Sequence, residues 1–277
     1  MSVLMMTALV GLAAFGAGLL GSLTGLGGGI VIVPLLTLGF GVALPYAIGA
    51  SLVAVIATSS GAAAAYVREG YINIRVGMLL EVATTTGALM GAYLAGIIPT
   101  HVIAVIFAII LLLTAAQSLQ PRLEHLTEVS GQLAHRLRLG STYPTPTGRQ
   151  HYEVRHVPLG FVLMFVAGIL SALLGIGSGV VKVVAMDRAM YLPFKVSTTT
   201  SNFMIGVTAA ASAGVYLHRG YIDPTLAFPV MLGVLAGALV GARLMGAART
   251  GFLRLLFTCV MVILAGEMLY KGVTGAL

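Results

Sequence analysis

The sequence contains very few charged residues. They make up 8% of its 277 residues, whereas a soluble domain carries about 25%. Hydrophobic residues make up 58%, and the mean hydropathy is +1.04. Polar groups are therefore too scarce to cover a surface in contact with water. This composition excludes a soluble globular protein and predicts that the lipid bilayer is the main solvent of the chain.

The sequence also contains only one cysteine and no tryptophan. The single cysteine, Cys259, excludes an intramolecular disulfide and a cysteine-cluster metal site, and we interpret it as a small core side chain in a helix. Because tryptophan is absent, the ten tyrosines are expected to provide the interfacial anchors. The first residues carry no basic region before their apolar run, which predicts a membrane segment rather than a cleaved signal peptide.

Motifs of catalysis and of nucleotide binding are missing as well. None of the six histidines lies deep in an apolar stretch, and neither HExxH nor GxSxG occurs. His151 and His156 fit a solvated loop better than a metal site. We therefore predict that the protein is not an enzyme and has no catalytic residues, metal or other cofactor. The net charge of +7 could suggest that the protein binds nucleic acid, but the positions of the basic residues follow the membrane topology described below.

The apolar residues fall into ten stretches, which predict an all-α integral membrane protein. Five precede and five follow a long polar stretch at 120–157, which we interpret as a linker loop between a first transmembrane repeat (1–119) and a second (158–277). The stretches lie near residues 3–21, 30–44, 45–66, 76–97, 101–119, 158–174, 179–192, 196–217, 225–246 and 252–270.

The two halves repeat each other at a spacing of 150 residues. GLGGG at 25–29 matches GIGSG at 175–179, and REGYIN at 68–73 matches HRGYID at 218–223. Ser51 pairs with Ser201 at the same spacing. Since several matches keep one order and one offset, the chain arose by internal duplication.

The basic residues predict the orientation of the segments. With five segments per half the second half is inverted, and twelve of the fifteen Lys and Arg fall on one side of the membrane. Arg219 and Lys271 fall on the other side, and Lys182 lies within a segment. Four spans per half would give parallel repeats and a split of nine against five. Because basic loops stay in the cytoplasm, we expect inverted repeats with loop 120–157 inside and both termini outside.

Two segments, 30–44 and 179–192, are too short for an ordinary span. As helices they would measure about 20–22 Å, against about 30 Å of hydrocarbon. Each follows a glycine cluster at the same position of its repeat, which is the sequence pattern of a transporter binding site. We expect the first two segments of each repeat to form a Gly-rich hairpin, which either spans the membrane or re-enters it.

The glycine clusters and nearby polar residues are the candidate substrate-binding site. Free amides at a helix start attract anions, and Ser178 adds a hydroxyl. Ser51 and Ser201 would approach each other near the pseudo-two-fold axis, while other Ser and Thr of these spans, Thr208 included, are assigned to packing. The candidates are Gly27, Gly28, Gly29, Ser51, Gly177, Ser178, Gly179, Lys182, Ser201 and Asn202.

Two of the few ionisable residues inside the segments are candidates for function, because such groups are functional by default in a membrane. Lys182 lies one turn into the seventh segment and would either offset an anion or pair with an acid. Glu81 lies about two turns into the fourth and could relay a coupling proton or pair with Lys182 or Arg243.

Two stretches of the sequence resemble a known family. GLGGGIVIVPLL at 25–36 resembles the first-repeat signature of the TauE/SafE family, the sulfite-exporter-like permeases, and LPFKVSTTTSNFMIGVTAAASAGVYLHRGYIDP at 192–224 is similar to its second-repeat signature. The resemblance covers nearly the whole chain. The sequence departs from the family pattern at Ser178, where Gly is usual, and at Val184, where Pro is usual. The resemblance implies a permease of the prokaryotic cytoplasmic (inner) membrane that moves sulfur-containing anions.

Together these observations predict a secondary transporter that exports sulfite or an organosulfonate by alternating access. A channel is the main alternative, followed by a membrane-embedded enzyme or an assembly factor. The expected partners are a small sulfur-containing anion and the lipid bilayer, with no nucleic acid. The sequence leaves the anion, the direction, the coupling ion and the oligomeric state open, a homodimer included.

Overall fold

The computed structural model describes residues 3–24, 29–119, 131–145, 148–244 and 250–275. Almost all of these residues are helical. The helices are α1 Val3–Thr24, α2 Gly29–Pro34, α3 Leu44–Glu69, α4 Ile74–Leu94, α5 Thr100–Leu119, α6 Gln132–Arg136, α7 Val157–Leu174, α8 Gly179–Val184, α9 Phe194–His218, α10 Pro224–Leu244 and α11 Thr250–Thr274. A π-helical turn continues α2 over Leu35–Gly39 and α8 over Ala185–Ala189.

Long apolar helices confirm an all-α membrane protein. Within the described residues, five segments are long and apolar enough to cross a membrane: Leu44–Gly61, Thr100–Ser118, Val157–Leu174, Pro224–Gly241 and Leu255–Thr274. Many of their large apolar side chains are exposed, as expected for a surface that faces lipid. Cys259 lies on such an exposed face of α11, so its assignment to the core was wrong.

Glycines let helices of one repeat pack closely on helices of the other. α1 packs along α10, where the backbone of Val234 leaves no room for a side chain at Gly18. α4 packs along α7 in the same way, with Gly87 against the backbone of Phe165. Small residues at such crossings allow the close backbone approach that stabilises helix pairs in lipid.

The long helices α3 and α9 lie side by side and run antiparallel. Near the start of α3 the ring of Tyr46 contacts that of Tyr221, just past the end of α9, at 5.7 Å between centroids. Near the start of α9 the hydroxyl of Thr199 donates to the carbonyl of Tyr71, just past the end of α3, at 3.2 Å. α5 and α11 are also antiparallel, because Gly272 near the end of α11 contacts the start of α5.

The two short helical segments are even shorter than the sequence indicated. Including its π turn, each ends by residue 39 or 189, so the predicted helical ranges 30–44 and 179–192 were too long. Both continue as non-helical chain that leads into a proline, Pro45 in the first turn of α3 and Pro193 at the N-cap of α9. Proline opens a new helix and disfavours helical backbone just before it. Eleven residues rise about 16 Å, roughly half of the hydrocarbon thickness.

The linker is more ordered than a solvated loop. Residues 131–157 contain α6 and an antiparallel hairpin of β1 Ser141–Thr145 and β2 Gly148–Tyr152. Tyr143 and Tyr152 are buried in an apolar cluster with Val76 at the start of α4. The sequence did not indicate this hairpin, because the polarity of the stretch concealed its tyrosines. His151 instead contacts the Glu153 carboxylate at 2.8 Å.

Asn73 attaches the hairpin to the membrane part of the protein. Its carboxamide Oδ1 accepts from the amide of Val76 and so caps α4, at 3.1 Å. Its Nδ2 donates to the carbonyl of Leu139 at 2.9 Å and to the Tyr152 hydroxyl at 2.8 Å. Burial raises the pKa of Tyr152 to about 12, so this hydroxyl stays protonated at neutral pH.

Candidate functional site

The second glycine cluster forms a tight left-handed turn between α7 and α8. Gly175, Gly177 and Ser178 have φ values of 67°, 69° and 42°. Gly177 lies between Val55 of α3 and Ile205 of α9, which would crowd a side chain there. Left-handed backbone suits glycine, and Ser178 tolerates it less easily.

The Ser178 hydroxyl fixes the depth of this turn. It donates to the carbonyl of Ala167 at 2.6 Å, and Ala167 lies near the middle of α7. Since α7 is about 27 Å long, α8 begins roughly halfway along α7. The predicted role of Ser178 as a donor to an anion loses support, because its proton is already used within the protein.

The first glycine cluster is described only at its last residue. Gly27 and Gly28 lie outside the described residues, whereas Gly29 is buried at the start of α2. The Ser51 hydroxyl lies 2.7 Å from the carbonyl of Gly175 and 3.3 Å from that of Gly29. Ser51 therefore lies between the last residue of the first cluster and the first residue of the second, and it joins one repeat to the other.

Ser201 repeats half of the Ser51 arrangement. Its hydroxyl donates to the carbonyl of Gly179 at 3.2 Å, as Ser51 does to Gly29 one repeat earlier. Both serines are fully buried. Because both hydroxyl protons go to backbone carbonyls, these serines hold the clusters in place and present no free donor to an anion.

Two sets of donors remain available, one in the second cluster and one on α9. No acceptor among the described residues takes a hydrogen bond from the amides of Gly177, Ser178 or Gly179. Asn202, the neighbour of Ser201 on α9, is only partly buried, and its carboxamide makes no hydrogen bond within the described part of the chain. Free amides and a carboxamide are neutral donors of the kind that hold oxyanions.

A buried cation and a buried acid lie beside this cluster, on three different helices. Lys182 of α8 is 0% exposed and Glu81 of α4 is 7% exposed. The Lys182 ammonium donates to the Thr208 hydroxyl of α9 at 2.6 Å, and Thr208 in turn lies 2.8 Å from Glu81 Oε1. We call these three residues the central triad. The side chain of Arg243, the other cation considered for Glu81, lies outside the described residues.

The Glu81 carboxylate uses only one of its two oxygens. Oε1 accepts from Thr208 and, at 2.9 Å, from Thr85 of its own helix. Oε2 is buried and has no hydrogen-bond partner among the described residues. Such an oxygen is unusual, because an unpaired polar atom in a low dielectric is costly.

Sequence reasoning missed the bridging role of Thr208. It was assigned to packing because hydroxyls in spans commonly bond to their own helix, and Thr208 does so at the carbonyl of Met204, 2.9 Å away. Its contact with Glu81 joins residues 127 positions apart. Only the pairing of a single buried Lys with a single buried Glu could have drawn attention to a hydroxyl between them.

The comparisons with known proteins agree on a membrane transporter. The family model described as "Sulfite exporter TauE/SafE" matches residues 10–268. The chain is 26% identical to the Probable membrane transporter protein YunE of Bacillus subtilis (strain 168), over 93% of this chain and 95% of that one. It is 30% identical to YdhB of the same organism, also named a probable membrane transporter protein, over 85% and 89%. No solved structure matches the chain.

Proposed function

This chain belongs to the sulfite exporter TauE/SafE family, and on that premise we propose that it is a secondary transporter of sulfite or an organosulfonate. Its relatives are named probable membrane transporters, so the protein is a multi-pass membrane transporter. Export of a small sulfur-containing anion across the cytoplasmic membrane is the specific activity proposed. The observation that carries it is a fully buried cation, Lys182, beside a half-length helix start whose amides are free.

The two repeats are related by inversion in this proposal. α3 and α9 are equivalent elements of the two halves, and they run antiparallel, as do α5 and α11. Equivalent helices of a parallel duplication would point the same way. Antiparallel equivalents therefore favour five segments per repeat, the arrangement that also places most of the basic residues on one side. The linker then lies in the cytoplasm and both termini lie outside.

The anion is bound where α8 begins. The amides at 177–179 and the Asn202 carboxamide donate to its oxygens, and Lys182 neutralises its charge. Ser51, Ser201 and Ser178 do not contact the anion in this proposal. They position the backbone carbonyls and the turn that shape the site. A midplane site between two inverted halves suits alternating access, in which one half rocks against the other.

The test is counterflow in liposomes that contain the purified protein. Vesicles loaded with unlabelled sulfite should accumulate radiolabelled sulfite transiently, because a carrier exchanges one anion for another. A channel would dissipate the gradient without this overshoot, and that outcome would replace the carrier by the channel alternative. An absence of flux for sulfite and for sulfonates such as isethionate would refute the proposed substrate class.

The matched variants are Asn202→Leu and Cys259→Ser. Asn202→Leu introduces the residue found at the equivalent position 52 of the first repeat, so packing changes little while the free carboxamide is lost. It should reduce sulfite exchange about tenfold or more, the effect of losing one hydrogen bond to a charged group. Cys259→Ser, on the exposed face of α11, should exchange at the wild-type rate.

A further inference from the structure

We propose that Glu81 and the transported anion compete for Lys182, so that each anion that binds brings one proton to Glu81. This inference rests on the proposed anion site and adds its coupling ion, its stoichiometry and the atom that takes the proton. The proton goes to Oε2 of Glu81, the oxygen that has no partner.

Lys182 can separate from Glu81 without breaking a direct ion pair. Lys182 and Glu81 do not contact each other directly; the Thr208 hydroxyl lies between them, 2.6 Å from the ammonium and 2.8 Å from Oε1. A single hydroxyl link is weaker than a direct ion pair with two charge-assisted bonds. An oxyanion at the start of α8 can therefore withdraw the ammonium from this link while the Thr208 hydroxyl keeps donating to Oε1 of Glu81.

Among the residues whose side chains the structure describes, no second cation lies near Glu81 to replace Lys182. On the elements that pack against α4, the other charged groups of the described residues lie elsewhere. Lys195 of α9 bonds to the Tyr71 hydroxyl, and Arg219 bonds to carbonyls at the far end of α4. Asp187 and Arg188 lie beyond Lys182, in the π turn after α8. The described part of α7 presents no charged side chain to α4.

A carboxylate that loses its only cation in this environment is neutralised. Leaving an isolated ionised group in a low dielectric is far more costly than taking up a proton. Oε2 is the available protonation site, because Oε1 already accepts two hydroxyls. The net change is one anion bound, one proton bound and no change in the charge of the site.

The central triad has no counterpart at the repeat-equivalent positions. The positions 150 residues from Lys182 and Glu81 are Ile32 and Met231, so the first repeat lacks the equivalent cation and the second repeat lacks the equivalent acid. One proton per anion follows. Two equivalent triads would have allowed two.

The experiment measures protons taken up per anion bound by the purified wild-type protein. Isethionate is the probe, because its sulfonate stays singly charged across the neutral pH range and cannot itself supply or take the proton. In weakly buffered detergent solution with a pH-sensitive dye, binding should remove about one proton per bound anion. Binding with no proton uptake overturns the inference while the transporter remains.

Variants identify the group that takes the proton. Glu81→Gln should bind isethionate with no proton uptake, and its proteoliposomes should lose accumulation driven by a proton gradient. Thr58→Val, the repeat equivalent of Thr208, and Glu267→Gln, an exposed acid of α11, should keep the wild-type ratio. An unchanged ratio in Glu81→Gln refutes the assignment. If that variant does not bind, the wild-type ratio alone decides, and a wild-type protein that neither binds nor moves sulfite or isethionate refutes the proposed function instead.

Discussion

The two repeats agree in their backbone and differ in their chemistry. Ser51 and Ser201 hold equivalent glycine carbonyls, and both short helices pass into a π turn before a proline. The cation of the central triad, however, belongs to the second repeat alone, because Ile32 occupies the position that corresponds to Lys182, while the acid Glu81 lies in the first repeat. Duplication thus supplied the architecture twice, while the charge that would select an anion is present once.

The two ends of the protein differ as well. Asn73 lies under the linker hairpin, which covers the neighbouring Val76. At the equivalent place in the second repeat, Asp223 lines an open cavity of about 550 Å³ with Tyr46 and Leu226. The linker therefore closes one end of a structure whose other end remains accessible to solvent.

The largest expected effect comes from removing the unique cation. Lys182→Met removes the counter-charge of Glu81, which then has to take up a proton or stay buried as an unpaired carboxylate, and loss of one partner of a buried pair costs about 3–5 kcal/mol. The free energy of unfolding in detergent should fall by that amount, and anion exchange should be lost. The matched control, Ile32→Met, is a near-isosteric change in a buried position and should cost less than about 1.5 kcal/mol.

A double variant distinguishes charge from packing. Lys182→Met combined with Glu81→Gln removes both charges, so it should be more stable than Lys182→Met alone although it carries one more substitution. Strictly additive losses in this cycle would mean that Lys182 and Glu81 do not interact, and the contrast between the repeats would then be one of packing alone.

The next largest effect tests the contact between the repeats at Gly175. Gly175→Ala places a Cβ 2.9 Å from the Ile48 side chain and 3.0 Å from its carbonyl, at a positive φ. Gly41 has nearly the same φ, 66°, but open space around it. Backbone strain of about 1–2 kcal/mol applies to both alanines, and crowding adds about 1–3 kcal/mol at Gly175 only. Equal losses in thermal stability would show that the two repeats do not meet tightly there.

Most of the helical framework could be predicted from the sequence, and the reasons are local. Apolar runs and the prolines at the starts of α3 and α9 are signals contained within a few residues. The repeat is a match at one constant spacing. The expected position of Ser51 near the pseudo-two-fold axis followed from that offset alone. Its partner could not be predicted, because the choice between a ligand and the Gly175 carbonyl depends on a fraction of an ångström.

Contacts between distant residues could not be predicted, and they include the chemistry of the site. Thr208 and Glu81 meet only because α9 packs against α4. Tyr143 and Tyr152 are ordinary loop residues until the hairpin stacks them against Val76. In both cases a side chain with a common local role acquires its second role from the tertiary fold.

The third prediction compares two threonines at equivalent positions. Thr58 bonds only to carbonyls of its own helix, whereas Thr208 also accepts from Lys182. Thr208→Val should therefore cost about 1–3 kcal/mol, because it leaves a buried ammonium without its acceptor. Thr58→Val should change the free energy of unfolding by less than about 1 kcal/mol. A reversed order would mean that the polar contacts of the central triad do not stabilise the fold.

The smallest expected effect lies at the two ends of the protein. Asn73→Ala removes a helix cap and two bonds to the linker, and loss of a cap costs about 0.5–2 kcal/mol. Asp223→Ala removes only local bonds to Thr225, so its loss should be smaller. The decisive readout is local: amide hydrogen exchange of residues 141–152 should accelerate in Asn73→Ala and stay unchanged in Asp223→Ala. If exchange in the hairpin is the same in both variants, Asn73 does not hold the linker against α4, and packing of Tyr143 and Tyr152 on Val76 is sufficient to close that end.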